Sequence, residues 1–306
     1  MLAVIGEALV DVLSGGISAP ETYVGGSPMN VAVGLARLGH PVTFVGRYGD
    51  DEYGRMIHEY LRSNGVLEVL APDAYPTSTA RGHLDPVGAA TYEFDMVWDL
   101  SGFGAVRGQA LDDAQLVHTG SIAAILEPGA STVLDAVRRA RPHATIAFDP
   151  NIRPAFMSDH AAAVAQVERF VELSDVVRAS DSDLEWLYPE RTVEETARAW
   201  LALGPAMVVA TYGSRGPWGL VARGPARADA PVVDVVDTVG AGDSFMAALL
   251  SALVDRELVG AARREELHRM SPGQLAELLA HAARAAAVTV SRAGANPPSR
   301  HEIPDH

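Results

Sequence analysis

The sequence predicts an α/β fold: a three-layer sandwich with helices on both faces of a mainly parallel sheet, and a small β-lid beside it. Six short apolar runs are typical of strands buried on both faces. Helical stretches separate these runs, and several of them end at glycine or proline, as helix C-termini do. Strand–helix alternation of this kind indicates a parallel sheet. The six runs are residues 2–8, 41–47, 116–121, 144–150, 174–180 and 206–213.

Helical patterns fill much of the remaining chain, for example at residues 27–39, 131–140, 161–173, 193–204 and 271–292. Two segments fit no strand–helix–strand unit. Residues 11–25 and 76–98 carry β-type alternation, with a hairpin signal at "DPVG" (85–88). We therefore predict a lid made of 11–25 and 76–98. The predicted α/β domain comprises residues 1–10, 26–75 and 99–306.

Composition excludes several classes of function. The 306 residues include no cysteine and no lysine, so all 24 basic residues are arginine. Disulfides, thiolate nucleophiles, a lysine-containing P-loop and a Schiff-base lysine are therefore excluded. The net charge of −15 disfavours nucleic acid and anionic lipid as partners. No apolar run reaches the ~20 residues of a membrane span, and the first residues predict a strand and not a secretory signal. We expect a cytoplasmic protein.

The stretch "DTVGAGDSFMAALLSAL" (237–253) places small residues between two aspartates, directly before an apolar helix. A helix start exposes unpaired N–H groups and a partial positive charge, and glycines let an anion approach them. The pattern predicts an anion hole at Gly240, Ala241 and Gly242, with Asp243 beside the anion. A glycine turn followed by a dipole-favoured aspartate is the structural alternative.

Two further glycine motifs precede or follow predicted elements. In "GGSPMNVAVGLARLG" (25–39), Ser27 and Pro28 suit a helix start, and Asn30 falls in the first turn with its amide free to bind hydroxyls. The alternative is a loop–helix junction with a capping asparagine. "TYGSRG" (211–216) follows an apolar strand, where a phosphate or ribose would bind at the carboxyl end of a parallel sheet. A plain turn is the alternative here.

Together these motifs resemble the ribokinase-like (PfkB) family of sugar kinases. "GEALVD", "GGSPMNVAVGLARLG", "FDPNIRP", "TYGSRG" and "DTVGAGD" occur in the family's order and spacing along essentially the whole chain. The bacterial fructokinase branch is the most similar. The resemblance implies an ATP-dependent kinase that transfers the γ-phosphoryl group to a sugar hydroxymethyl group. It implies Mg²⁺ as a cofactor and, as in some members, a monovalent cation such as K⁺.

The resemblance also implies roles for individual residues. Asp243 matches the catalytic base, and the backbone of 240–243 matches the anion hole. The positions that match or could supply sugar contacts are Asp11, Gly25, Gly26, Asn30, Glu127, Arg153 and, in the lid, Tyr92 and Phe94. The positions that match the ATP site are Ser180, Thr211, Gly213, Gly216, Ala283 and Ala287. The positions that match a monovalent-cation loop are Asp237, Thr289, Arg292 and Gly294.

The magnesium motif departs from the family pattern. "SDSD" (180–183) stands where the family often has N-x-x-E, so that Asp183 replaces the longer carboxylate. Mg²⁺ usually keeps several waters and needs few protein ligands, so Asp183 is expected to act through water. Asp181 and Glu185 are alternatives.

Several functional alternatives stay open. A 2-keto-3-deoxygluconate kinase would use Arg153 to pair with the acid's carboxylate, and a ribokinase or nucleoside kinase belongs to the same family. A binding protein without catalysis would use the same cleft. Hydrolase and NAD-enzyme motifs are absent from the sequence. Apolar residues of the lid predict a possible homodimer.

Overall fold

The computed structural model describes residues 1–14, 21–84 and 90–303. Thirteen strands in these ranges form two sheets. The strands are β1 (Leu2–Ile5), β2 (Leu9–Ser14), β3 (Glu21–Gly25), β4 (Val42–Val45), β5 (Leu67–Glu68), β6 (Thr79–Leu84), β7 (Ala90–Asp95), β8 (Leu116–Gly120), β9 (Thr145–Asp149), β10 (Val176–Ser180), β11 (Met207–Thr211), β12 (Pro217–Val221) and β13 (Gly224–Arg227).

The large sheet has nine strands in the order β13-β12-β11-β10-β9-β8-β1-β4-β5. Neighbours from β11 to β5 are parallel. The two strands at the other edge, β12 and β13, are antiparallel. The prediction of a mainly parallel sheet is confirmed, and all six predicted apolar runs contain strands of this sheet.

Helices cover both faces of the large sheet. The described helices are α1 (Ser27–Arg37), α2 (Glu52–Ser63), α3 (Phe103–Leu111), α4 (Gly129–Ala140), α5 (His160–Leu173), α6 (Asp181–Leu187), α7 (Val193–Leu203), α8 (Ala241–Asp255), α9 (Arg264–His268) and α10 (Pro272–Val290). Helices α1, α4, α5, α7 and α10 lie where the sequence predicts helices. None of the helices in the described ranges is long and apolar enough to span a membrane.

Two hydrophobic cores, one on each face, join the three layers. Leu2 and Val4 of β1 belong to the core under α1, α8 and α10, whereas Ala3 and Ile5 belong to the core under α4, α5 and α7. Successive side chains of a strand point to opposite faces, so a strand buried on both faces must be apolar throughout. This is why the strands appear in the sequence as continuous apolar runs.

The small sheet consists of four strands in the order β3-β2-β6-β7. Strand β2 pairs parallel with β6, and the other two pairings are antiparallel. The hairpin signal at 85–88 lies outside the described residues. Strand β3 and most of β2 lie in the predicted segment 11–25, and β6 and β7 lie in the predicted segment 76–98. The proposed division into a lid and an α/β domain stays a prediction.

Candidate active site

A cleft of 530 Å³ lies between the small sheet and the carboxyl ends of the large sheet's parallel strands. Its walls come from the small sheet, from the loops after β1, β8 and β9, and from the start of α8. The cleft brings together many of the residues that the sequence predicts for a site. These are Asp11, Gly25, Gly26, Asn30, Phe94, Arg153, Ser180, Asp183, Asp237, Gly240, Gly242, Asp243 and Gly294.

Asp243 lies in the first turn of α8, and its side chain is held from α1. Ser27 donates a hydrogen bond from Oγ to Asp243 Oδ1 at 2.7 Å, and Asn30 donates from Nδ2 to Oδ2 at 2.8 Å. Burial raises the pKa of Asp243, against the opposing effect of these two hydrogen bonds and of Arg178 and Arg153. A carboxylate that is fixed and more basic than usual is suited to accept a proton. The role of Ser27 was not predicted.

The amide groups before Asp243 are arranged for an anion, with one exception. Gly240 ends the turn at φ +75°, a left-handed conformation that favours glycine. Among the described residues, the N–H groups of Gly242 and Asp243 donate to no protein acceptor. The N–H of Ala241, however, donates to the carbonyl of Thr238 at 3.3 Å. The Ala241 N–H is therefore engaged within the protein, and the predicted anion hole of 240–242 stays a prediction.

A polar group beside Asp243 is left for a ligand. Asn30 is 6% exposed, and its Oδ1 has no hydrogen-bond partner in the described part of the chain. Asp11 lies in the same cleft on β2, where burial raises its pKa to about 6, partly offset by the charge of Arg153. A buried acceptor without a partner is unfavourable, so Asn30 Oδ1 is suited to accept a hydrogen bond from a ligand hydroxyl.

Glu7 is a cleft residue that the sequence reasoning did not single out, although it lies in "GEALVD". It follows β1, is 2% exposed, and accepts a hydrogen bond from the Ala123 N–H at 3.2 Å. Burial raises the pKa of Glu7 to about 7, against the effect of hydrogen bonds that include one from Ser121. Ser121 also lines the cleft, at φ 56°. The sequence signal that could have identified Glu7 is an acidic residue two positions after a buried strand.

Glu7 makes folding stability depend on pH. Its pKa is higher in the folded state than the ordinary 4.5, so the folded state binds the proton more tightly. The stability from this proton is complete below pH 4.5 and is lost as the pH rises through about 7. Between about pH 5 and 8.5, we expect the unfolding free energy of wild type to fall by about 2–3 kcal/mol more than that of Glu7→Gln.

Urea unfolding at both pH values measures this difference. The matched control is Glu59→Gln, the same change at an exposed position of α2. Its stability should follow the wild-type pH dependence. If the Glu7→Gln curve also follows wild type, the Glu7 carboxyl has no raised pKa in the folded protein.

Five of the predicted ATP-site residues lie outside the lining of this cleft. Thr211 ends β11, and Gly213 and Gly216 form the turn into β12. Ala283 and Ala287 are buried on α10, a helix that packs against α8. Ser180 does line the cleft and caps α6. The nucleotide roles of these residues stay predictions.

Asp183 and Asp237 line the cleft, but protein donors already bind their carboxylates. Asp183 accepts from the N–H groups of Ile152 and Ser180, at 2.8 Å each. Asp237 accepts from Gly294 N–H at 2.9 Å and Val239 N–H at 3.0 Å. No cluster of three or more acidic or histidine side chains that could hold a metal occurs among the residues described. Any metal here would depend on waters, backbone oxygens or nucleotide.

The rest of the predicted cation loop is also engaged within the protein. The Thr289 carbonyl accepts a hydrogen bond from Arg292 N–H at 3.0 Å, and the Gly294 carbonyl accepts one from Asn296 N–H at 2.8 Å. The Arg292 guanidinium forms an ion pair with Glu302. A carbonyl has a second lone pair, so these contacts leave room for a cation. Binding of K⁺ stays a prediction.

Glu127, a predicted sugar contact, is engaged within the protein, and its sugar role stays a prediction. Glu127 is exposed and lies outside the cleft lining, and its carboxylate accepts hydrogen bonds from Ser131 N–H at 3.1 Å and Ser131 Oγ at 2.7 Å. These bonds fix it to the first turn of α4, where an acid is favourable. The side chain of Tyr92 lies outside the described part of the structure.

Arg153 and Phe94 both line the cleft, one from the segment after β9 and the other from β7 of the small sheet. Arg153 is exposed and donates to the Ile152 carbonyl at 3.1 Å. Phe94 of β7 packs edge-on against Phe156, with 5.0 Å between ring centroids, which links the small sheet to the segment after β9. The predicted contacts of both residues with a sugar stay predictions.

The fold and the cleft define a class of protein: an α/β protein with a buried acid at a helix start, in a cleft beside a small sheet. Residues 2–302 match the model of the pfkB family carbohydrate kinases. The chain belongs to this family and is therefore a phosphotransferase with a sugar hydroxyl as acceptor, which confirms the resemblance seen in the sequence.

Individual relatives agree with this assignment. A fructokinase of Rhizobium leguminosarum bv. trifolii is 34% identical over 263 residues, which cover 83% of this chain and 79% of the relative. A fructokinase of Klebsiella pneumoniae is 36% identical over 269 residues, which cover 82% of this chain and 83% of the relative.

Solved structures share the fold. The fructokinase of Xylella fastidiosa with bound ATP has a TM-score of 0.84 at 23% identity and covers 99% of this chain and 94% of its own. The fructokinase of Vibrio cholerae O395 in its fructose, ADP and calcium ion bound form has a TM-score of 0.76 at 25% identity and covers 99% and 95%. The predicted ribokinase-like three-layer fold is confirmed.

Proposed function

We propose that this protein transfers the γ-phosphoryl group of ATP to the hydroxymethyl group of fructose. The observation that carries the proposal is the fixed carboxylate of Asp243 next to the free N–H groups of Gly242 and Asp243 in a cleft of 530 Å³. Curated relatives named fructokinase at 34% and 36% identity support fructose as the acceptor.

In the proposed reaction, the hydroxymethyl oxygen attacks the γ-phosphorus. The bond from that phosphorus to the bridging β,γ-oxygen breaks, and ADP leaves with the electron pair. Asp243 accepts the hydroxyl proton, and the amides of Gly242 and Asp243 bind the negative charge of the transferring group. Asn30 Oδ1 and Asp11 accept hydrogen bonds from sugar hydroxyls, which position the attacking oxygen.

Mg²⁺ would be held mainly by the nucleotide phosphates and waters, with Asp183 contacting it through water, and would neutralise phosphate charge. Asp237 and the carbonyls near it would hold K⁺. Among the residues that the structure describes, no group of three or more acidic or histidine side chains would hold either ion without such additional ligands.

The charge of the cleft favours a neutral acceptor. Five carboxyl groups line it, against two guanidinium groups. They are Glu7, Asp11, Asp183, Asp237 and Asp243, against Arg153 and Arg178. These carboxylates would repel a carboxylate on the ligand at short range. Arg153 favours the second candidate, 2-keto-3-deoxygluconate, because its exposed guanidinium could pair with that acid.

A panel of acceptors tests the proposal. ADP formation from ATP is measured with fructose, ribose, tagatose, adenosine and 2-keto-3-deoxygluconate, with and without potassium. We expect kcat/KM for fructose to exceed that for every other acceptor by about tenfold or more, since one well-placed hydroxyl contact contributes at least that much. Asp243→Asn, prepared identically, controls for contaminating kinases.

Other outcomes identify the alternatives. A preference for 2-keto-3-deoxygluconate would assign Arg153 to the acid's carboxylate and contradict the proposal for fructose. ATP binding without ADP formation, whichever acceptor is present, would support a binding protein instead. A homodimer through the small sheet stays a prediction, which sedimentation of the purified protein would test.

A further inference from the structure

Arg178 is a charged residue in the middle of an apolar strand. It is the third residue of β10, "VVRAS", and its side chain is 8% exposed. A buried charge is costly unless it is paired, and an arginine in a central strand needs a reason beyond packing. Its guanidinium lines the cleft, at the ends of three adjacent strands.

Among the described residues, protein acceptors bind only some of the N–H donors of this guanidinium. Nη1 donates to Asp149 Oδ2 at 2.7 Å, and Nη2 donates to Thr211 Oγ1. Nε is buried without a hydrogen-bond partner among the described residues. Arginine has five N–H donors in a planar fork, so donors remain for another acceptor. Such a fork matches the oxygens of a phosphoryl group.

The guanidinium lies directly against the start of α8. A Cβ added to Gly242 would be 2.8 Å from Nη1, 2.9 Å from Nη2 and 3.1 Å from Cζ of Arg178. A glycine inside a helix makes the helix less stable than an alanine does, by about 1 kcal/mol, so its presence at position 242 needs a reason. The lack of a side chain at Gly242 therefore allows Arg178 to reach the same point as the free amides of Gly242 and Asp243.

This placement is electrostatically unusual. The N-terminus of a helix carries a partial positive charge, so a cation beside it is unfavourable unless an anion binds both. Asp149 is the carboxylate that accepts a hydrogen bond from Arg178, and Asp183 and Asp243 lie near enough to interact with its charge. The carboxylates of Asp183 and Asp243 are held by other donors. An anion at this point would have both the guanidinium and the two amides as donors.

We propose that Arg178 is a catalytic residue, whose guanidinium binds the non-bridging oxygens of the γ-phosphoryl group during transfer, together with the amides of Gly242 and Asp243. The inference rests on the proposed kinase function and adds to it a donor that moves no proton. The bond from the sugar oxygen to phosphorus forms as the bond to the β,γ-bridging oxygen breaks, and Asp243 takes the proton. Arg178 stabilises the charge on the equatorial oxygens throughout.

Arg178→Met and Arg178→Lys test this role. We expect Arg178→Met to lower kcat by about 10²-fold or more, as loss of a transition-state donor does. Arg178→Lys keeps the charge but loses the fork, so its loss should be smaller, about tenfold. We also expect Arg178→Met to weaken the binding of a non-hydrolysable ATP analogue more than the binding of ADP, because the lost contact is to the γ-phosphoryl group.

A matched control separates catalysis from stability. Arg264 forms a comparable ion pair with Asp175, whose side chain is 1% exposed, and Arg264 lies outside the cleft lining. Arg264→Met should lower stability in urea and leave kcat unchanged. Because Arg178→Met leaves Asp149 buried and unpaired, the double variant Arg178→Met/Asp149→Asn is measured as well. Asp149→Asn alone should reduce kcat by less than about tenfold, since the guanidinium remains.

The outcomes decide between the roles. A folded Arg178→Met, or the folded double variant, with kcat within about threefold of wild type would overturn the inference. Equal loss of kcat in Arg178→Met and Asp149→Asn would also overturn it, by showing that the ion pair only supports the fold. Wild-type protein without kinase activity would contradict the proposed function itself, and the nucleotide-binding comparison would then decide the role of Arg178.

Discussion

Asp243→Asn should lose about 10⁴-fold in turnover while still binding ATP. The substitution keeps the shape of the side chain and removes the group that accepts the hydroxyl proton. Ser27 and Asn30 both donate to the carboxylate, at 2.7 and 2.8 Å, so an amide in its place would put an N–H group against a donor. Measured turnover and ATP affinity, obtained separately, check the two parts of this expectation.

The same change at the other end of α8 provides the control. Asp255 is the last residue of this helix, is 40% exposed on its side chain, and pairs with Arg300. Asp255→Asn should retain wild-type turnover. If Asp243→Asn turned over at a similar rate, Asp243 would not be the base.

Asn30→Asp should lower turnover at neutral pH by about 10³-fold. The change is nearly isosteric, but it replaces a donor to Asp243 with a second carboxyl group at 2.8 Å. Two carboxyl groups at this distance share a proton, which raises the upper apparent pKa of the pair. Asp243 is then protonated over more of the pH range and is unable to accept another proton. Part of the lost activity should therefore return as the pH rises.

The pH profile of kcat distinguishes this effect from misfolding. Asn64→Asp, the same change at the end of α2, lies outside the cleft lining and should leave the profile unchanged. A uniform loss of activity in Asn30→Asp at every pH would show that Asn30 does not control the protonation of Asp243.

Local patterns predicted the fold because each element carries its own signal. Strands buried on both faces are continuous apolar runs, and the start of α8 follows from glycines before an apolar helix. The antiparallel edge formed by β12 and β13 was not predicted, since the turn "TYGSRG" fits a loop as well as a hairpin. Sheet order and partner strands depend on contacts between distant segments, which no single run encodes.

The site was predictable only where a motif carries the residue. Asp243, Asn30 and Asp11 lie in such motifs, and the cleft brings them together. Arg178 gave no motif signal: its significance depends on the register that places it between Asp149 and Thr211. For Glu127, the position in a family pattern did not reveal that Ser131 donates two hydrogen bonds to its carboxylate.

The hydrogen bonds to Asp243 join two segments that are far apart in the sequence. Ser27 is 216 residues from Asp243, and Asn30 is 213 residues from it. Contacts of such long sequence separation form slowly during folding, because loop closure precedes any gain from them. A chain still being synthesised thus has Ser27 and Asn30 long before it has Asp243. Recovery of turnover after dilution from urea would accordingly report completion of the whole domain, and not of any local part.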